Sequence, residues 1–255
     1  MHDLLPELYS LMLKNRFDPK KDKRNVLVDS RKIQEMNSFL GVKENETIGV
    51  FYDALGFLSR ELPTGTVTEV DEGAYAALRG CRELKGVEGR RFTKVLVMVH
   101  PGLDKKQLWK FLEFAEKKAY YLLPQELYLE VTAEPVFLDY SPLAVMFQGL
   151  SRRKRELPVK QDSFHPRPPA RKVLVEFELS KNQLKGKESA FQAFLERVFK
   201  YKNKDLEKAL SLAFKERRKG ELAGKVERLG LAGKKVFQTE VIEFAGLFNA
   251  LQLGL

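Results

Sequence analysis

The sequence predicts an α/β fold: a larger domain on a mainly parallel sheet, followed by a small C-terminal domain made of helices alone. Short β-branched or aromatic runs recur at 48–52 (IGVFY), 66–70 (TVTEV), 95–99 (VLVMV) and 127–131 (LYLEV), the pattern of buried strands. Between the third and fourth, over 104–120, Leu108, Phe111, Leu112, Ala115 and Ala119 fall at helical spacing with lysines opposite. Strand, helix and strand in that order imply parallel neighbours. Beyond Leu179 the apolar periodicity becomes helical throughout.

Further elements follow in order. Ser141 before Pro142 and LAVMFQG starts a helix, because the hydroxyl caps a free amide and proline suits the first helical position. A basic stretch, SRRKREL, occupies 151–157. Segment 172–179, KVLVEFEL, alternates with Val173, Val175, Phe177 and Leu179 on one side and reads as the last strand of the sheet. Three helices then follow. One carries the stripe Ala190, Phe191, Phe194, Leu195, Val198 and Phe199, and the next Leu206, Ala209, Leu210, Ala213 and Phe214. The last runs from Thr239, a candidate cap, through Phe244 and Leu247 to Leu251. The expected domains are 1–180 and 181–255, each long enough to bury a core.

Composition narrows the partners. Against 35 Asp and Glu stand 45 Lys and Arg, a net charge of +10 with an isoelectric point near 9.5. That balance favours a polyanion. The basic residues are spread over several segments rather than beside one long apolar face, which favours nucleic acid over a membrane surface. Cys81 is the only cysteine, excluding an intramolecular disulfide and a cysteine-rich metal site, as expected of a reducing, cytoplasmic setting. No apolar run approaches the roughly 20 residues of a membrane span. The start, MHDLLPELYSLM, carries Asp3 and Glu7 and reads as neither a signal nor a transit peptide. There is no Walker-type loop and no HExxH, and the histidines are His2, His100 and His165 alone. No metal site is expected.

Several segments, in order, resemble the KsgA-type rRNA adenine dimethyltransferases. RNVLVD at 24–29 is similar to that family's entry motif, TIGVFYDALGFLSREL at 47–62 to its cofactor strand and loop, and TEVD at 68–71 to its acidic second strand. DYSPLAVMFQ at 139–148 and DSFHPRPPARKVLVEFEL at 162–179 resemble its DYGRLSVLAQ helix and SAFxPxPKVxSAVVRL signature. In the tail, FKYKNKDLEKAL at 199–210 and TEVIEFAGLFNAL at 239–251 resemble its last motifs. The resemblance implies a Rossmann-like methyltransferase domain over 1–180 and a helical rRNA-binding domain over 181–255. It further implies S-adenosylmethionine as cofactor if there is one, and small-subunit rRNA or a pre-30S-type particle as partner. A cytoplasmic monomer with a part in ribosome biogenesis and rRNA processing is expected. In this family the target adenine is flipped into a pocket where an N-(L/P)-P-(Y/F) motif and an aromatic hold it against the methyl donor.

Carried over residue by residue, the cofactor positions are Asn25 and Leu27 in the entry motif, Tyr52, Ala54 and Gly56 where the family has three glycines, and Glu69, which is either the ribose-binding acid or a solvent-facing carboxylate on a strand end. Here the family pattern breaks. Val50 replaces the strand-end acid, Tyr52 and Ala54 replace two glycines, and the aspartate expected near Val87 is missing. The loop either caps the sheet or forms a remodelled cofactor site. In the catalytic motif Met98 replaces the asparagine and lacks an amide oxygen to accept from an adenine amino group, while His100 and Pro101 take the next positions. His100 is either a base or stacking group or a loop residue without catalytic duty. Phe164 matches the base-stacking aromatic, or packs the loop entering the last strand.

Candidate RNA contacts are Arg152, Arg153, Lys154 and Arg155, then Lys200 and Lys202 with Lys204, then Lys215, Arg217, Arg218 and Lys219; the alternative is a solvated charged face. The losses fall on methyl transfer and spare RNA contact. The resulting expectation is an rRNA-binding protein with lost or much reduced methyl transfer, with an active enzyme of drifted site, or a transcription-type nucleic-acid factor on the same fold, as alternatives.

Overall fold

A computed structural model of the chain describes residues 3–15, 18–63, 66–71, 81–180, 184, 186–217 and 219–251. It forms two compact units. The first comprises Met1–Tyr128 with Arg153–Leu179, and the second Leu129–Arg152 with Ser180–Leu255. Residues 129–152, placed with the N-terminal domain by the sequence reading, thus make their contacts in the C-terminal unit.

Helix α1 (Leu5–Asn15), the two-residue β1 (Val26–Leu27) and helix α2 (Ser30–Leu40) lead into the sheet. The Asp29 side chain accepts from the Lys32 N–H, and the chain turns at Gly41, φ 52°, whose N–H closes on the Asn37 carbonyl. Capping at both ends satisfies groups a helix leaves open. Ile33, Met36 and Leu40 face inward. Buried Lys94 donates to the carbonyls of Leu40 and Gly41 at 3.0 and 2.6 Å and pairs with Glu46 at 2.7 Å, placing a cation where the helix dipole ends negative.

Strands β2 (Ile48–Phe51), β3 (Val67–Val70), β4 (Phe92–Met98), β5 (Ala115–Pro124), β6 (Ser151–Val159) and β8 (Lys172–Leu179) form a sheet in the order β3-β2-β4-β5-β8-β6. β2 runs parallel to β3 and β4, β4 parallel to β5, and β5 antiparallel to β8. The strands at 48–52, 66–70, 95–99 and 172–179 are where the sequence puts them. The expected fourth parallel strand is not. Residues 105–114 form a 3₁₀ segment and β5 follows at Ala115, whereas 127–131 lies in helix α3 (Gln125–Thr132).

The reason is burial on both faces. Ala119, Tyr120, Tyr121, Leu122 and Leu123 are all fully buried, so a central strand reads as a continuous apolar run that periodicity cannot tell from a buried helix. In LYLEV, Tyr128 and Val131 are buried while Leu129 is exposed, an i,i+3 face. β8 ends the sheet in sequence but not in space, because the basic segment β6 lies beyond it.

In the second unit, helix α4 (Pro142–Leu150) is capped as expected by Ser141, whose hydroxyl oxygen accepts from Ala144 N–H. Helices α5 (Glu188–Phe199), α6 (Leu206–Ala213), α7 (Lys219–Arg228) and α8 (Val241–Leu251) follow. The predicted stripes meet: Phe191, Phe194, Phe214 and Phe248 pack with ring centroids 5.3–6.1 Å apart. Helix α7, with alternating charge, was not predicted. Thr239 is fully buried, its hydroxyl donating to the Lys235 carbonyl.

Candidate functional site

The chain passes from β2 to β3 on one side and returns to β4 on the other side of β2. In an open parallel sheet such a reversal leaves a crevice at the carboxyl ends of the strands. The two loops there begin at Tyr52 and Val99, the ones that carry the predicted cofactor and catalytic positions.

In the first loop Tyr52, Ala54 and Gly56 have φ of 67°, 31° and 68°. The three positions matched to glycines therefore keep a left-handed backbone although two carry side chains, at a cost of about 1–2 kcal/mol each. The Tyr52 ring is buried. It meets His100 edge-on at 5.2 Å and Phe111 at 5.9 Å, with the Arg24 guanidinium 5.5 Å from its centroid. Asp53 accepts from the Ser59 N–H at 2.7 Å. The Ser59 hydroxyl donates to Glu69, occupying one of the oxygens assigned to ribose recognition. The recess lined by Val50, Asp53, Ala54, Glu69, Val70, Asp71 and Cys81 encloses about 170 Å³, open solvent included.

At the end of β4, Met98 is buried and Pro101 exposed. His100 Nδ1 accepts from the Gly102 N–H at 3.1 Å, so Nε2 carries the proton, and it has no hydrogen-bond partner among the described residues. Burial first, then the charges of Arg24 and Lys172, push its pKa down to about 3. The imidazole is neutral at physiological pH, and its lone pair is spent on the backbone, a poor state for a general base.

The entry motif and the FHP segment meet. β1 pairs antiparallel with β7 (Phe164–His165), Leu27 opposite Phe164. Asn25 donates its side-chain amide to the Pro166 carbonyl at 2.9 Å. Phe164 is only 2% exposed, and the Lys172 ammonium lies 4.9 Å from its ring centroid. Lys172, 5% exposed, donates to the Val99 carbonyl at 3.5 Å. Burial, with Arg24 adding repulsion, lowers its pKa to about 8. Nearby, Arg24 and Asp71 form an ion pair of 2.7 Å with both side chains buried.

Sequence reasoning missed Lys172, Arg24 and Asp71 as members of this site. All three are charges at the ends of apolar strand segments, where they read as solvent-facing flanks.

These residues do not fit S-adenosylmethionine as the resemblance places it. A tyrosine ring stands in the glycine loop and Glu69 is engaged by Ser59; on the side matched to the target base, a lysine covers the face of Phe164.

The basic residues divide. On β6, Arg152, Arg153, Lys154 and Arg155 are exposed. Arg153 donates to the Tyr128 hydroxyl at 2.7 Å, Lys154 pairs with Glu178 at 2.6 Å and Arg155 with Glu176 at 2.6 Å, stacking over Phe39 at 4.3 Å. Burial opposes the Glu176 charge, but hydrogen bonds from Lys118 and Arg155 outweigh it and hold its pKa below the usual value. In the second unit Lys200 and Lys215 are exposed. Lys202 donates to the carbonyls of Leu138 and Tyr140 at 2.6 and 2.7 Å, and Arg217 to that of Leu251 at 3.0 Å. Arg218 and the Lys219 side chain lie outside the described residues.

The sheet with its crevice and flanking helices is the Rossmann-like methyltransferase fold. The family model of the ribosomal RNA adenine dimethylases matches residues 105–242, more than half of the chain, and the chain belongs to that family. A dimethyladenosine transferase from Plasmodium falciparum is similar in structure with a TM-score of 0.73 at 14% identity, over 88% of this chain and 97% of that one. The 23S rRNA methyltransferase ErmE is similar with a TM-score of 0.58 at 15% identity, over 89% of this chain and 100% of that one. At such identities the likeness concerns the fold. No helix among the described residues is long and apolar enough to cross a membrane.

Proposed function

We propose that this protein binds small-subunit rRNA during ribosome assembly in the cytoplasm and has lost most or all methyl transfer. The observation that carries the reading is the crevice itself, where Tyr52 packs on His100 and Phe111 and Lys172 covers Phe164. Both the methyl donor and a flipped adenine need that space, and methyl transfer depends on alignment. RNA contact needs only accessible cations, which Lys200, Lys215 and Arg152 supply.

The test is twofold. Calorimetric titration with S-adenosylmethionine should give no heat at micromolar concentrations. Incubation of partly assembled small subunits with radiolabelled donor should leave the rRNA unlabelled while the subunits retain the protein. Micromolar donor binding or labelled adenosine would refute it.

One observation favours an alternative, an active dimethyltransferase with a drifted site: the loop keeps its left-handed path at Tyr52, Ala54 and Gly56. Deletion of the gene separates the two, since an active enzyme would leave modified adenosines that disappear with it.

A further inference from the structure

Three consecutive large apolar residues of the second unit face solvent: Val136, Phe137 and Leu138 are 65%, 64% and 90% exposed. A run of that kind is an error in a soluble surface unless it does something. The backbone does not let it retract. Val136 has φ of 80°, a conformation a β-branched residue adopts only when its surroundings impose it. They do. Val136 N–H donates to the Phe237 carbonyl at 2.8 Å, Phe137 N–H to Glu134, and Tyr140 N–H to Phe137. Tyr140 is fully buried with its hydroxyl on the Thr239 carbonyl at 2.8 Å, and the Lys202 ammonium bonds the carbonyls of Leu138 and Tyr140. The tip is a rigid apolar projection.

The same backbone network joins it to cations. Phe237 N–H donates to the Lys202 carbonyl and Val236 N–H to that of Lys204, so the segment 200–204, with Lys200 and Lys204 exposed, is bonded to the base of the tip. Asp139 beside the tip is exposed, and its charge acts on Lys202.

We propose that Phe137 and Leu138 form a wedge that stacks on an unpaired base of RNA, with Lys200 and Lys204 holding the flanking phosphates. The chemistry points to nucleic acid because an aromatic on a segment bonded through its backbone to one that carries exposed cations matches a base next to its phosphate, and a held tip lowers the ordering cost on binding. The proposal rests on the rRNA-binding reading and adds a contact that discriminates unpaired from paired RNA.

The test uses the full chain and two fluorescein-labelled RNAs of equal length, a hairpin with a seven-nucleotide loop and a perfect duplex, titrated by anisotropy at several salt concentrations. F137A/L138A should bind the hairpin about tenfold more weakly, leave duplex binding and the salt slope unchanged, and melt with the wild type. K200A/K204A should weaken both RNAs and lower the slope. With 2-aminopurine in the loop, wild-type protein should quench its fluorescence and F137A should not. If F137A/L138A binds the hairpin as the wild type does, the wedge is refuted while RNA binding stands. If the wild type binds neither RNA, the rRNA-binding reading falls and the wedge with it. Loss of self-association, or of flotation with anionic vesicles, as the sole effect of F137A/L138A would assign the tip to another partner and overturn the proposal.

Discussion

Replacing Lys172 by methionine should stabilise the protein, a rare outcome for a buried substitution. The ammonium lies among Phe164, the Val99 carbonyl and Arg24, and burial with the Arg24 charge drops its pKa from 10.5 to about 8. At about 1.36 kcal/mol per pKa unit, that fall corresponds to about 3 kcal/mol against the folded state near neutral pH. Because the folded pKa lies below the unfolded one, the unfolded chain binds more protons between pH 8 and 10.5, and stability rises with pH across that window. The penalty is complete below pH 8 and is lost as pH climbs to 10.5. Methionine keeps the linear shape without the charge. K172M should therefore exceed the wild type by about 3 kcal/mol at pH 7 and by only about 1.4 kcal/mol at pH 9.5. Urea titrations followed by the fluorescence of Trp109, the single and buried tryptophan, read this directly. A variant no more stable than the wild type at pH 7, or a difference that does not narrow with pH, would refute the reasoning.

Other predictions bear on the same site. Asp71→Ala leaves the buried Arg24 guanidinium without its carboxylate and should cost about 3–5 kcal/mol, most of it recovered by R24M/D71L; thermal melts compare the two. His100 has a folded pKa below its unfolded one, so the stability tied to the neutral ring is present above pH 6.5 and lost as pH falls toward 3. Linkage gives about 2 kcal/mol between pH 7 and 5, which partial exposure of the ring reduces to about 1 kcal/mol, and H100Q should show that much less acid destabilisation than the wild type. Tyr52→Gly relieves left-handed strain but removes a buried ring, for a net loss of about 2–4 kcal/mol in a urea titration. Calorimetry on Y52G/A54G should still detect no micromolar S-adenosylmethionine binding, because Val50 still replaces the strand-end acid and Glu69 stays engaged by Ser59.

Much of the fold was legible because amphipathic and capped elements advertise themselves locally. The Phe191 and Leu206 stripes, the Ser141 cap and the strand at 172–179 all formed where their side chains require. The exchange of β5 and helix α3 was not legible, since Tyr120 to Leu123 are buried on both sides and carry no period. Of the site, the departures at Tyr52, Ala54 and Met98 could be read from the chain, but their packing could not.

The sequence by itself determined strands β2, β3, β4 and β8, the helical tail, the surplus of cations and the departures from the family's motifs, because each depends on residue type and local spacing. Tertiary structure alone decided how the crevice is filled. Tyr52, His100 and Phe111 are 48 and 11 residues apart along the chain and meet only because parallel strands bring their carboxyl ends together. Lys172 and Phe164 meet beside Val99 for the same kind of reason. Burial then turns an ordinary lysine and an ordinary histidine into groups with shifted protonation, since the cost of a charge depends on its surroundings and not on its place in the sequence.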